Sequence, residues 1–424
     1  MILNLKFSNF LSFKNEAEFS FVSSQKEEQY GNLKFKNYLL NKTSVIYWAN
    51  ASWKTTVFKA LSFIKNMIVS SHDQNLRPST FWYKKHLLWE ASSISTFEIS
   101  FILEGELYSF SFSIDTETEN IIDECLKKYT SQKPTILYIR RNTNEIESNK
   151  SAKFSEAESR KQFVRPQSLA LSTFSNTWWE LSMKIRDFFI EKIIVFLPNQ
   201  DRSQPDWTFS MFDKHWDVFQ KFIRNLLQSA DVNIEDIQYL KKGKKIEELP
   251  NDIAKLLKNS NQFANYNWQI NFIETNFKHN VYNNKWELDS TILFKPNQES
   301  TWTRRLTTLS WPMYNALYSW AALFIDEMDQ SLHPLIVREI VKLFSWNKNK
   351  NAQLFFSSHD ITLLNEDFLR KDQIWFTDKD KYWSSNLYSL ADFKWLYKIK
   401  DIQEAYLQWK FDAIPSLNEF NYIW

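Results

Sequence analysis

The sequence predicts an α/β protein, with a strand-rich beginning that includes an antiparallel hairpin, a helical stretch after it and a parallel β core towards the end. Three observations lead there. Strand-like alternation dominates the first 150 residues or so, interrupted by one strongly helical stretch. From about 150 to 265 apolar residues recur at helical spacing with charged faces between them. The rest of the chain alternates helices with short, wholly apolar runs, the pattern of a parallel sheet covered by helices.

Residues 3–7 and 18–22 alternate as two strands joined by a polar connection. Residues 43–47 form an apolar strand, and after a short polar loop a helix follows over 54–70, with Val57, Phe58, Leu61 and Ile64 on one face. Residues 71–94 are irregular and polar. Residues 96–103 and 106–114 alternate about Glu104-Gly105, which predicts a tight hairpin, and 134–141 is a further strand. Helical spacing marks 182–194, 212–227 and 246–257, while Lys241-Lys242-Gly243-Lys244-Lys245 reads as a solvated basic turn in preference to a nucleic-acid contact. Strands resume at 268–277 and 285–294, and buried strands at 321–325 and 353–357 are each reached through a helix. The expected domains are 1–150, 151–267 and 268–424.

A composition of 43% hydrophobic and 24% charged residues describes a soluble globular chain and excludes wholesale disorder. No apolar run approaches the length of a membrane span, and the N-terminus alternates where a signal peptide would be continuously apolar. Cys125 is the one cysteine, which excludes an intramolecular disulfide and a cysteine-rich metal site and suits a reducing, cytoplasmic setting. A formal net charge of +2 makes no case for DNA and leaves that partner open. Two counts are abnormal: 3 glycines and 19 tryptophans, where ordinary usage gives about 7% glycine.

The stretch VIYWANASWKTTVFKAL, residues 45–61, sets strand, loop, Lys-Thr and helix in the order of a phosphate-binding loop, G-x-x-x-x-G-K-[ST]. Both positions that need glycine hold tryptophan, Trp48 and Trp53. In such a loop backbone N–H groups wrap the phosphates at a helix N-terminus, Lys54 neutralises them and Thr55 ligates Mg²⁺. Tryptophan at 53 resists the backbone conformation that glycine tolerates, so the chain as written is expected to bind ATP poorly. Further on, AALFIDE (321–327) ends an apolar strand in two carboxylates. Asp326 is placed to hold Mg²⁺ and Glu327 to orient or deprotonate a water; a buried strand ending in solvated acids is the plain alternative. QLFFSSHD (353–360) ends a second such strand in His359, which alone would read as a structural histidine. Asp378 and Asp380 read as a charged turn in preference to a metal pair.

In this order the motifs resemble those of ABC-type and chromosome-maintenance (SMC-like) P-loop ATPases. Among these the chain looks most like the AAA-family ATPases of bacterial phage-defence (abortive-infection) systems, related to the ATPase part of overcoming-lysogenization-defect proteins. The opening LKFSNFLSFKNEAEFSF (5–21) is similar to that family's start, QESTWTR (298–304) to its E-S-x-G-T signature, and AYLQWKFDAIP (405–415) to its ending, Y-L-x-G-r-y-G-A-I-P. The resemblance covers roughly 1–70 and 285–415.

Under it, positions 48, 53, 302 and 409 are glycine in the family and tryptophan here. Trp311, Trp320 and Trp383 also stand where a turn would take glycine, while Trp375, in a strand-like segment, reads as genuine. One residue type replacing glycine repeatedly points to decoding: UGA codons, read as glycine in certain bacterial lineages, rendered as tryptophan. The alternative is a degenerate ATPase whose gene encodes tryptophan.

The resemblance further implies a two-lobed ABC-type NTPase, with an antiparallel β lobe, a parallel β core and a helical insertion, converting ATP and water to ADP and phosphate. Trp48, Asn50, Ser52, Trp53, Lys54, Thr55, Thr56 and Asp329 would bind ATP, joined by Ser300 and Trp302 of the signature. Thr55 and Asp326 would hold Mg²⁺, and Glu327 and His359 would be catalytic. It implies a homodimer closed around ATP, with no membrane involved. Few residues follow His359, so a nuclease or toxin effector would be a separate protein. A nucleotide-free pseudo-ATPase interaction module and a DNA-repair ATPase are the competing readings.

Overall fold

The computed structural model describes residues 1–24, 31–48, 55–73, 85, 92–130, 133–149, 160–177, 179–197, 216–230, 234–245, 269–346, 349–365, 368–393 and 401–408. The chain forms two compact units. The first comprises Met1–Leu197, Asn315–Gln330 and Val337–Trp424; the second comprises Pro198–Tyr314 and Ser331–Ile336.

In chain order the N-terminal part gives β1 (Ile2–Ser8), β2 (Ala17–Ser20), β3 (Asn32–Phe35), β4 (Tyr38–Asn41), β5 (Thr43–Trp48) and α1 (Thr55–Ser70). A run of strands follows: β6 (Ile94–Leu103), β7 (Glu106–Asp115), β8 (Ile121–Tyr129), β9 (Thr135–Arg141) and β10 (Glu145–Ser148). Then come α2 (Ala170–Asn176), α3 (Glu180–Glu191), β11 (Ile193–Phe196), α4 (Trp216–Ser229), β12 (Asp236–Lys245), β13 (Gln269–Tyr282), β14 (Leu288–Phe294) and α5 (Thr301–Ser319). The chain continues through β15 (Ala322–Ile325), α6 (Pro334–Ser345), β16 (Gln353–Ser357), β17 (Ile374–Lys379), β18 (Ser385–Ser389) and α7 (Ile402–Leu407).

Two sheets organise the first unit. One has seven strands in the order β10-β9-β8-β7-β6-β1-β2, every pair antiparallel. The expected hairpin is there: Leu103 pairs Glu106, and Glu104 and Gly105 take φ of 49° and 76°, the left-handed pair that a two-residue turn requires. The other sheet has six strands, β11-β15-β16-β5-β17-β18, parallel from β11 to β17 with β18 antiparallel at the edge.

The core of this unit joins both sheets to α1. Val57, Phe58, Leu61, Ile64 and Met67 of α1 are buried with Phe7, Phe97 and Phe112 of the antiparallel sheet and Ile46, Phe324 and Phe355 of the parallel one. Burying each of Phe58 and Leu61 contributes about 1.5–3 kcal/mol, which holds the helix although its first turn carries no acidic residue. A polar knot fastens the antiparallel sheet to α2. Buried Glu124 accepts hydrogen bonds from the N–H groups of Ala170 (2.7 Å) and Leu171 (2.9 Å) and from the Tyr138 hydroxyl (2.5 Å). Arg140, 3.7 Å from it and fully buried, donates to the carbonyls of Thr143, Ser168, Arg165 and Pro166. Burial pushes the Glu124 carboxyl up and the Arg140 guanidinium down, and their mutual attraction opposes both shifts.

The second unit holds a three-stranded antiparallel sheet, β12-β13-β14. Phe219 of α4 packs edge-on against Trp311 and Tyr314 in α5. Among the described residues no helix is long and apolar enough to cross a membrane.

Several expectations need correcting. The segment expected to be a helical insertion also contributes a strand to the parallel sheet, β11, which pairs in parallel with β15. The basic turn at Lys241–Lys245 is the end of β12, paired residue by residue with β13 from Lys245↔Gln269 to Lys241↔Ile273. The helix expected over 246–257 lies outside the described residues. The tail after His359 contributes β17, beside β5, and β18. Trp311, expected at a turn, is inside α5. Asp380 does serve a turn, its Oδ1 accepting from the N–H groups of Tyr382 and Ser384.

Candidate functional site

The parallel sheet decides where the motifs meet. β5, β15 and β16 run the same way in close register: Ile325 lies beside Phe356, Phe356 beside Val45, and Ser357 beside Ile46. The segments leaving their carboxyl ends therefore emerge at one edge, which is where open α/β sheets bind ligands. Those segments are the loop after Trp48, the Asp326-Glu327 pair, and Ser358-His359. β16 lies between the strand that enters the phosphate-type loop and the strand that ends in the acids.

β15 is buried at every residue, and Asp326, directly after it, is 0% exposed. Glu327 then takes a φ of 52°, a left-handed conformation uncommon for a residue with a β-carbon, and the chain turns sharply away. Ser357, the last residue of β16, holds this corner. Its hydroxyl donates to Asp326 Oδ1 at 2.5 Å and its Oγ accepts the Glu327 N–H at 2.7 Å. Its carbonyl accepts the Met328 N–H at 3.0 Å. Asp326 is also held from the other side, its N–H donating to the Phe196 carbonyl of β11 at 3.0 Å.

Asp329 reaches back to the neighbouring strand, its Oδ2 accepting the His359 N–H at 3.0 Å. The His359 side chain is exposed. Ser358 N–H donates to the Ile46 carbonyl at 3.2 Å and the Tyr47 hydroxyl to the Asp360 carbonyl at 2.9 Å, which bind the tip of β16 to β5. Burial raises the Tyr47 phenol far above its ordinary range, with Asp360 and Asp329 adding to the effect, so it stays a neutral donor.

Of the residues expected to form the site, Asp326, Glu327, Asp329 and His359 are brought together around Ser357. Trp48 ends β5, paired with Thr377 of β17. Thr55 is the first residue of α1, and Thr56 is buried with its Oγ1 3.5 Å from Ser12 Oγ. Asn50, Ser52, Trp53 and Lys54 lie outside the described residues. Ser300 and Trp302 belong to the second unit. There Ser300 Oγ accepts the Thr303 N–H at 3.1 Å, closing the start of α5, with Trp302 in its first turn. Neither Ser357 nor Asp360 was singled out in the sequence, although the Ser-Ser-His-Asp run at the tip of an apolar strand was the signal.

The donors here are hard oxygens, a carboxylate and hydroxyls, which suit Mg²⁺ and its phosphate ligands. Among the described residues no three His, Cys, Asp or Glu side chains are grouped to hold a metal alone.

The strand order, with an acid pair at the same edge as a strand–loop–helix phosphate motif, defines the core of a P-loop ATPase. The sequence family described as "AAA domain, putative AbiEii toxin, Type IV TA system" matches residues 44–365, and the chain belongs to this family of AAA-type P-loop ATPase domains. No curated protein sequence matches the chain. Solved structures with a likeness to it include an SMC head bound to the C-winged helix domain of ScpA, at 11% identity over 92% of this chain and 97% of that one, with a TM-score of 0.42. The SMC head domain from Thermotoga maritima aligns at 11% identity over 92% and 98%, with a TM-score of 0.40. An Smc head with an extended coiled coil, bound to the C-terminal domain of ScpA derived from Pyrococcus furiosus, aligns at 10% over 96% and 98%, with a TM-score of 0.42. The family match, not these likenesses, carries the assignment.

Proposed function

We propose that the native protein binds ATP with Mg²⁺ and hydrolyses it, as a cytoplasmic homodimer closed around nucleotide that passes its state to a separate effector in phage defence. The observation that carries this reading is the shared sheet edge, where Asp326 and Glu327 sit on a serine of the strand that lies beside β5. Thr55, opening α1, and Asp326 would hold Mg²⁺, which supplies charge neutralisation at the phosphates when bound. Lys54 and the backbone of 50–55, with Asn50, Ser52 and Thr56, would bind the phosphates. Glu327 would take the proton of the attacking water, and His359 would contact the phosphoryl group being transferred. Asp329 fixes the His359 backbone. Ser300 and Trp302 would act on the nucleotide of the partner subunit. The family description, which names a candidate toxin of a toxin–antitoxin system, supports a defence setting.

A pseudo-ATPase that works by interaction alone is the second reading, and the tryptophans at 48 and 53 favour it for the chain as written. The two separate on one measurement. The Trp48→Gly, Trp53→Gly double variant is expected to gain ATP affinity by at least tenfold in a titration with Mg²⁺ present, about 1.4 kcal/mol. No gain would leave the interaction module as the better account.

A further inference from the structure

Three tryptophans outside the nucleotide motifs occupy backbone positions made for glycine. Trp286, Trp320 and Trp383 have φ of 62°, 55° and 65°, in the left-handed region. Bulky side chains are genuine outliers there, because the β-carbon meets the following carbonyl.

Each sits in a recognisable glycine motif. Trp320 follows the last residue of α5, and the next N–H, of Ala321, bonds back to the Ala316 carbonyl at 2.9 Å. That six-to-one bond is the Schellman closure, whose left-handed residue is usually glycine. Trp286 ends the turn between β13 and β14. Its N–H donates to the Asn283 carbonyl at 2.9 Å, the Asn283 N–H donates to the Glu287 carbonyl at 2.9 Å, and Asn283 Oδ1 accepts from Lys285 and Glu287. The turn between β17 and β18 repeats this bond for bond. The Trp383 N–H donates to the Asp380 carbonyl at 3.0 Å, the Asp380 N–H to the Ser384 carbonyl at 2.9 Å, and Asp380 Oδ1 accepts from Tyr382 and Ser384. Both are turns closed by a left-handed bulge residue, again a glycine position.

Among the described residues little packing offsets the strain. The three residues are 86%, 50% and 59% exposed, and among the described residues the ring contact is an exposed one, Lys379 Nζ 4.6 Å from the Trp383 ring centroid. Trp179 and Trp375 are the opposite case. They are 6% and 7% exposed, lack positive φ, and pack edge-on against Phe174 and Phe19 at 5.7 and 5.0 Å.

We infer that the native protein carries glycine at 286, 320 and 383 and tryptophan at 179 and 375: an exposed tryptophan in the left-handed region marks a recoded position, and a buried, ring-packed one with ordinary φ marks a genuine one. The inference stands on turn and helix-end geometry and is independent of whether the chain hydrolyses ATP. Glycine at 320 also places the freest backbone joint two residues before β15, the strand that delivers Asp326.

The test is peptide mass mapping of the protein purified from its native host. Glycine at all three positions with tryptophan at 179 and 375 is the expected result; tryptophan at any of the three, or glycine at 179 or 375, overturns it. A second measurement uses the chain made with tryptophan throughout. Trp286→Gly, Trp320→Gly and Trp383→Gly together are expected to raise its thermal midpoint by roughly 5 °C. Trp179→Gly and Trp375→Gly are each expected to lower it. A midpoint that falls with the triple substitution counts against the inference.

Discussion

Ser357 links the two acids at the edge of the sheet, and its importance is local and testable. One hydroxyl fixes the Asp326 carboxylate, and the same oxygen fixes the backbone of Glu327. Removing it leaves both acids present but loosens their aim, as removing the support of a metal ligand does. In the chain with glycine at 48 and 53, Ser357→Ala is expected to reduce ATP turnover about tenfold or more with little change in ATP affinity. Steady-state turnover measured beside equilibrium binding checks this, and an equal loss in both would show Ser357 to be merely structural. The acids and His359 were legible in the sequence because each ends a wholly apolar strand, where a charge is conspicuous. Ser357 was not, because a serine at a strand end has many ordinary reasons to be there, and only the register Ser357↔Ile46 beside Asp326 gives it a role.

At the scale of elements, strands with an unbroken apolar run were readable and strands at sheet edges were not. β12 forms one edge of its sheet, and its lysines with Gly243 imitate a turn, yet lysine is a common guard on edge strands. β11 is four residues long and follows α3 after Lys192 alone, so its apolar residues look like one more helical turn. The structure separates them by a specific anchor. Lys65 of α1 donates to the Ile193 carbonyl at 2.5 Å and to Ile190 at 3.4 Å. Desolvation lowers the Lys65 ammonium from 10.5 to about 8. The folded chain therefore holds fewer protons than the unfolded chain between those values, and stability rises with pH across the window. Thermal midpoints compared from pH 7 to 10 should show the parent gaining on a Lys65→Met variant above about pH 8. A constant difference between the two would remove the lysine from the account.

For the whole molecule, the proposed dimer makes a claim that single residues cannot. If Glu327 takes the proton from water, Glu327→Gln in the chain with glycine at 48 and 53 is expected to cut hydrolysis about 100-fold or more. Bound ATP should then persist and the protein should elute as a dimer with ATP and as a monomer without it. Dimer formation that ignores ATP would detach assembly from the nucleotide. The general plan of two sheets was visible from alternation and apolar runs, whereas the place of β11 beside β15 was not, because it depends on which distant strands pair.

That pairing has a consequence for how the chain is made. β5 is central in its sheet, and both of its neighbours, β16 and β17, are synthesised roughly 300 residues after it, about 15–60 s at ordinary translation rates. All strands of the antiparallel sheet are made by Ser148, and its buried Glu124 and Arg140 then await only residues 165–171 for their hydrogen bonds. During that interval β5 waits as an unpaired apolar ribbon, the kind of segment that recruits holding chaperones or aggregates. A nascent chain released before β16 is made would hold every strand of the antiparallel sheet and lack the edge at which Asp326, Glu327 and His359 meet.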